Sequence, residues 1–332
     1  MNGRRDGAFG PRFFLLLLIV VLVQACAPQA VQLPTLAVRP AFGPGIQRIA
    51  FDPTGRRLAS GDLHGRVRIW SVTDGAELHS FKPHHDRVTG LAWLDGVRLL
   101  SADRSGQVLI SDVASGKRLT AVQLDAVNTL VVAPDRSWLL VSDDAGIRKL
   151  LLPGLQLDAR RLLPAAPLAI AISHSGDRIA VSDNDGTVQL LDAALQPLRT
   201  LARPSRDLYD LAFSPDGQIL LGGGWFRLVT WHLPTGGLRE YATPHLGKIN
   251  SVAISPDGAH WLSLGRDTDS QFLMTSALTH QVERHFQSHA LCGSQAGFSP
   301  DGRYVASSSD DGSVHIYDLT APYRPVVPYL EH

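Results

Sequence analysis

The chain of 332 residues carries 31 Lys and Arg against 31 Asp and Glu, so its formal charge balances. The cations are scattered rather than clustered, which argues against nucleic-acid binding. With 44% hydrophobic residues it can bury a sizeable core, and its two cysteines, Cys26 and Cys292, are too few for a disulfide framework.

At the N-terminus, Arg4, Arg5 and Arg12 form a basic region, and Phe13 to Val23 is an apolar run of eleven residues. Such a run is short for crossing about 30 Å of hydrocarbon but suits the core of an export signal. Val23-Gln24-Ala25-Cys26 follows. It resembles the lipobox of bacterial lipoproteins, in which a small residue precedes the cysteine that is lipidated and becomes the new N-terminus. The resemblance implies a signal peptide over 1–25, lipid on Cys26 and a tether over 26–34. The alternatives are an ordinary secretory signal cut near Ala25 and an uncleaved anchor. Ala27 stands where an Asp would resemble an inner-membrane retention signal. That favours an outer-membrane lipoprotein facing the periplasm over an inner-membrane or free periplasmic one. Without residues 1–25 the chain keeps 28 basic and 30 acidic side chains, so lipid rather than charge would hold it to a membrane.

From residue 35 onward the chain repeats. Turns recur as Asp52-Pro53-Thr54-Gly55, Ser214-Pro215-Asp216-Gly217, Ser255-Pro256-Asp257-Gly258 and Ser299-Pro300-Asp301-Gly302. Pro sets φ at the first central position and Gly tolerates positive φ, so each is a turn for a physical reason. A short apolar strand with a small residue at its centre precedes each turn or a weaker copy of it. The central residues are Ala50, Ala92, Val131, Ala171, Ala212, Ala253 and Gly297, spaced 39 to 44 apart. A second strand, a Gly-bearing turn and a third strand follow. Examples of the third strand are Val67-Arg68-Ile69-Trp70 and Val314-His315-Ile316-Tyr317.

This period, with Ser309-Asp310-Asp311-Gly312-Ser313-Val314-His315-Ile316-Tyr317-Asp318 as its best copy, resembles the WD40 repeat. The resemblance implies an all-β, seven-bladed WD40-like β-propeller over 35–332. In such a ring the small central residues would face a narrow axial channel and their neighbours would pack between blades. The family's His, Ser/Thr, Asp and Trp network is complete in no blade, and blades 3 and 6 look most degenerate. Stability is therefore expected to rest on apolar burial between blades. The offset that aligns Phe51 with Trp93 places residues 35–39 on an outer strand, one blade ahead of blade 1. They are expected to close the ring by joining blade 7, in competition with the proline-bearing run 325–329.

No catalytic motif is present: no P-loop, nucleophile elbow, His-Glu-x-x-His or Cys-x-x-Cys. Cys292 fits a buried, inert thiol. His64, His84 and His85 could converge on one face, where three imidazoles could ligate a metal. They equally fit one structural histidine, His84, and two solvated loop residues, and no metal or other cofactor is assigned. Asp143, Asp144, Asp310 and Asp311 could form an acidic rim. Gly222-Gly223-Gly224 give a flexible-looking turn followed by Trp225, Phe226 and Arg227, the residue types of an interface hot spot; alternatively Trp225 folds inward and plugs the channel.

These features point to a non-enzymatic protein-interaction scaffold on the cell envelope, its protein partner unspecified and its membrane contact made through lipid. A lactonase-like or quinoprotein-like enzyme or ligand sensor is the first alternative; the small axial residues argue against it. An accessory lipoprotein of outer-membrane assembly is the second, by analogy of architecture alone.

Overall fold

The computed structural model describes residues 31–38, 44–267 and 269–323. The signal segment, Cys26 and the rival closing run 325–329 lie outside the described residues. Within them, 28 strands form seven four-stranded antiparallel sheets. Six sheets take consecutive strands from the inside out, as in blade 1: Ile46–Phe51, Arg57–Asp62, Val67–Ser71 and Glu77–Phe81. The seventh takes its outer strand from the opposite end of the chain: Leu36–Val38 pairs with Val314–Asp318, Leu36 opposite Ile316 and Val38 opposite Val314. The ring closes as the phase of the repeat predicts. Gln32, inside the stretch read as a tether, is already fastened: its amide donates to His285 O and its carbonyl accepts from Gln287 N, on the outer edge of blade 6.

Each sheet exposes two apolar faces that its neighbours must cover. Seven buried clusters result, one at every junction between blades. The junction of blades 6 and 7 holds Phe272, Phe286 and Tyr317, with ring centroids 4.6 Å apart for the first pair and 4.5 Å for the second. At the closing junction Val38 packs with Ile46, Leu58 and Trp70 of blade 1 and Val314 and Ile316 of blade 7. Burial of side chains this size contributes about 1.5–3 kcal/mol each, so apolar contact between blades is the main source of stability, as expected.

The polar network is fuller than the sequence pattern implies. His84 bonds Ser101 Oγ at 2.8 Å through Nε2 and sits 3.3 Å from Asp103 Oδ2 through Nδ1. Blade 6, expected to be degenerate, keeps His245, Ser263 and Asp269 in the same relation. Blade 7 keeps His289, Ser307 and Asp311. In blades 1 and 3 an arginine of the third strand replaces the histidine: Arg68 lies 2.9 Å from Asp62, and Arg148 lies 2.8 Å from Asp143. Asp62, Asp103 and Asp143 escape the sequence pattern because they end the second strand, three residues before the turn glycine, and Asp269 because it lies past a longer turn. From that place Asp62 accepts the amides of His64 and Arg66, and Asp143 those of Ala145 and Gly146. Each carboxylate thus ties off its own turn.

Candidate functional site

The loops leading into each inner strand and the turns between second and third strands share one face, because they bond to each other: His84 N donates to Gly65 O, and Leu124 N to Gly106 O. The axial channel opens at the centre of this face. Below the mouth, Val131, Ala171, Ala212 and Ala253 line a cavity of about 340 Å³, the small lining expected of axial positions.

At the mouth the lining changes. In blades 1, 2, 4, 5, 6 and 7 the inner strand slips register at the same point, between Ile46 and Arg48, Val88 and Gly90, Pro167 and Ala169, Leu208 and Asp210, Ile249 and Ser251, and Gly293 and Gln295. A bulge leaves one residue unpaired and re-aims its side chain. The residues so released, among them Gln47, Tyr209, Asn250 and Ser294, line the mouth.

Just below, residues two places before the axial position link blade to blade. Arg48 Nε donates to Thr89 O at 2.8 Å, Asp210 Oδ2 accepts from Val252 N at 2.8 Å, and Gln295 Oε1 accepts from Ile49 N at 2.9 Å. Burial pushes the Asp210 carboxyl up to about 6, against the pull of its backbone bonds and of Arg48. The sequence reading, fixed on the axial alanines, missed this belt and took the channel to be without chemistry. Side chains two apart along a strand share a face, so the position was accessible to the same periodicity.

The sequence-selected residues divide. His84 is fully buried, whereas His64 and His85 are exposed. The three imidazoles do not converge, and His84 is not a contact residue because its ring is bonded inside blade 2. Asp143 is also buried, and only 7% of the Asp311 side chain is exposed. Burial pushes Asp311 up, but bonds from His289, Ser313 and backbone amides outweigh it and hold the carboxyl far below its ordinary range. Asp310 is tied to Gln47 at 2.5 Å, Arg266 at 3.0 Å and Ser294 at 3.1 Å. Only Asp144 of the four stands out from the surface, with 71% of its side chain exposed. A continuous acidic rim is therefore not formed.

Gly222, Gly223 and Gly224 are not a flexible turn. They end the second strand of blade 5, Ile219–Gly224, and are buried. A Cβ on Gly223 would sit 2.8 Å from Ile249 Cγ2 and Val252 Cγ1, so its bareness lets blade 6 close on blade 5. The turn is Trp225 and Phe226. Trp225 is half-buried; it donates to Tyr209 Oη at 2.7 Å, and its ring meets that of Tyr209 edge-on at 6.3 Å. It buttresses the mouth rather than filling it. Arg227 is exposed and lies 3.5 Å from Glu240. Phe226 is 45% exposed and adopts φ 61°. Corresponding turns carry glycine at positive φ, as at Gly65, Gly106, Gly186 and Gly312. Beside Phe226, whose amide donates to Gly247 O, stands Leu246, 66% exposed.

Seven blades, inside-out strand order and closure by the N-terminal strand define a WD40-like β-propeller. The family model described as "WD domain, G-beta repeat" matches residues 195–230 and 279–318, and that of the anaphase-promoting complex subunit 4 WD40 domain matches 37–95. The first two windows run from the outer strand of one blade into the next, the stagger that interlocks the ring. Among curated proteins the chain is 25% identical to ribosome biogenesis protein BOP1 of Rattus norvegicus, over 81% of this chain and 37% of that protein. It is 26% identical to THO complex subunit 3 of Arabidopsis thaliana, over 71% of this chain and 79% of that one. The chain thus spans little more than a third of the length of BOP1. Among solved structures, the β-propeller domain of Cps50 (Swd1) from Myceliophteria thermophila superposes with a TM-score of 0.73 at 18% identity, covering 86% of this chain and all of that domain, and shares its fold.

Proposed function

We propose that this propeller is a protein-interaction scaffold that works through the face carrying Phe226, anchored by lipid on Cys26 to a bacterial outer membrane and facing the periplasm. The observation that carries the interaction reading is Phe226 itself. A bulky residue at positive φ costs of order 1–3 kcal/mol, and such strain gathers at functional sites. Here it holds an apolar ring in solvent beside exposed Leu246. An aromatic set on a stiff turn, next to a second apolar group and the charged channel mouth, has the make-up of an interface anchor. THO complex subunit 3 is by its name a subunit of a complex, which supports the same reading. The anchor rests on Arg4, Arg5, the apolar run 13–23 and Ala25-Cys26.

Phe226→Gly tests the interface. Glycine relieves the positive φ, so melting temperature should hold or rise, while capture of the partner by crosslinking from envelope membranes should fall at least tenfold, a typical hot-spot loss of about 1.4 kcal/mol or more. A variant that melts lower and captures as well as wild type makes Phe226 a structural residue. Mass spectrometry of the mature N-terminus tests the anchor: a diacylglyceryl adduct on Cys26 is expected, and a soluble unmodified form as the main product rejects it.

A further inference from the structure

The mouth of the channel collects cations from three strands that belong to two blades far apart in sequence. Arg48 comes from the inner strand of blade 1, while Lys248 and Arg266 come from the inner and second strands of blade 6. Arg87 joins them just ahead of the inner strand of blade 2. All four line one cavity of about 330 Å³, whose other lining groups are amides, hydroxyl and backbone, with Val88 alone apolar. A contiguous space of about 230 Å³ shares Arg48 and Lys248 and adds one carboxylate, Asp210.

The arrangement is costly without a countercharge. Lys248 and Arg266 stand directly opposite each other in the strand pairing, and like charges in that relation destabilise a sheet. Arg266 is partly neutralised by Asp310 at 3.0 Å. Lys248 holds its ammonium over the Tyr209 ring at 3.8 Å; burial weakens its hold on the proton, Asp267 opposes that, and Arg266 adds to it. Arg48 spends two of its donor groups on backbone carbonyls, Thr89 O and Gln47 O, rather than on a carboxylate. Burial weakens its hold on the proton; Asp210 opposes that, and Arg87 and Arg266 add to it to a smaller extent. The apolar clusters that close the junctions contain none of these charges, although Arg48 adds a polar link from blade 1 to blade 2 and Arg266 one from blade 6 to blade 7. Four cations around a small polar hollow match an oxyanion with several acceptor oxygens, which an arginine fork binds directionally and a lysine binds as a point charge.

We infer that the channel mouth is a binding site for a small, doubly charged oxyanion of the sulfate or phosphate class, held by Arg48, Arg87, Lys248 and Arg266. Sulfate is the probe, since its charge is constant near neutral pH. The full propeller is titrated with sodium sulfate by calorimetry and by thermal melting, with ionic strength held by chloride. Saturable binding and a raised melting temperature are expected from sulfate and not from chloride. Lys248→Met and Arg48→Met should each weaken binding at least tenfold. In sulfate-free buffer Lys248→Met should melt no lower than wild type, because it removes the like-charge pairing. Arg87→Gln alters an exposed side chain and should weaken binding several-fold, which keeps the test open if an inner-strand variant fails to fold. Arg118→Gln, exposed on the outer strand of blade 2, should leave it unchanged. A phosphate monoester binding more tightly than sulfate points to a metabolite, and equal binding to an inorganic anion; both keep the site. A melting shift that chloride reproduces, or sulfate affinity unchanged in Lys248→Met, Arg48→Met and Arg87→Gln, overturns it.

Discussion

Replacing Arg68 with Met should destabilise the ring far more than removing Arg68 and Asp62 together. The Arg68 guanidinium lies 2.9 Å from Asp62 Oδ2, and their side chains are only 10% and 2% exposed. In the single variant the other oxygen, Oδ1, keeps the amides of His64 and Arg66, but Oδ2 loses its cation inside blade 1. Stranding one member of a buried pair costs about 3–5 kcal/mol. Arg68→Met/Asp62→Asn removes the stranded charge, keeps an acceptor for the turn amides and replaces the guanidinium stem with an apolar one of similar reach. The double variant is expected about 2 kcal/mol or more nearer to wild type than Arg68→Met. Urea unfolding of all four corners of the cycle reads this directly, with a constant m-value showing that the same surface unfolds throughout. Effects that add to within about 0.5 kcal/mol would show that the turn amides alone satisfy Asp62 and that the arginine has not taken over the role of the histidine.

Two further perturbations address closure and the channel. Val38→Asp puts a carboxylate into the cluster that joins blades 7 and 1; a loss of about 3 kcal/mol or more is expected from lost burial and stranded charge, read as a lower urea midpoint, and an unchanged midpoint would mean that the N-terminal strand does not seal the ring. For Asp210, whose carboxyl is raised to about 6, the folded state holds its proton between pH 4 and 6 after the unfolded chain has released it. Its contribution is therefore fully present below pH 4 and declines as pH rises to about 6. Asp210→Asn abolishes this term, so its stability relative to wild type should increase from pH 4 to pH 7, by at most about 3 kcal/mol; a pH-independent difference would refute the assignment.

The architecture was legible because it repeats. Small residues at 50, 92, 131, 171, 212, 253 and 297 mark the axis, and one offset places Leu36–Val38 on blade 7, where it pairs. What does not repeat was hidden. The belt position two places earlier is Arg48, Gly90, Thr129, Ala169, Asp210, Ser251 and Gln295 in turn. No residue type recurs there: Arg48, Asp210, Ser251 and Gln295 each bridge to a different neighbour, while Gly90 and Ala169 have no side chain that could. Of the adjacent pair His84 and His85, the family resemblance points to His84 as the structural ring, and its bonds to Ser101 and Asp103 place it inside blade 2. Gly222-Gly223-Gly224 read as a loop because glycine breaks strands in general, whereas here close approach of Leu208 to Gly222, of Ile249 and Val252 to Gly223, and of Asp207 O to Gly224 demands it. The residue that does adopt a left-handed backbone in that turn is Phe226, the type least expected to.

The bulges explain how one scaffold can be both stable and chemically free. Below them the inner strands pair regularly, small residues face the axis, and apolar clusters weld each blade to the next. Above them the register has slipped, so the released side chains no longer serve the ladder or the apolar clusters, and Gln47 and Asn250 reach the next blade only through polar bonds. A substitution at Gln47, Tyr209 or Asn250 therefore changes the mouth without opening a seam, whereas one at Leu58 or Trp231, both buried in junction clusters, opens a seam without changing the mouth. That separation allows Lys248 and Arg266 to face each other across a strand pair and Phe226 to hold a strained turn. Each costs an amount the seven junctions can absorb. Variants above the bulges should accordingly shift binding with little change in melting, and variants below them the reverse.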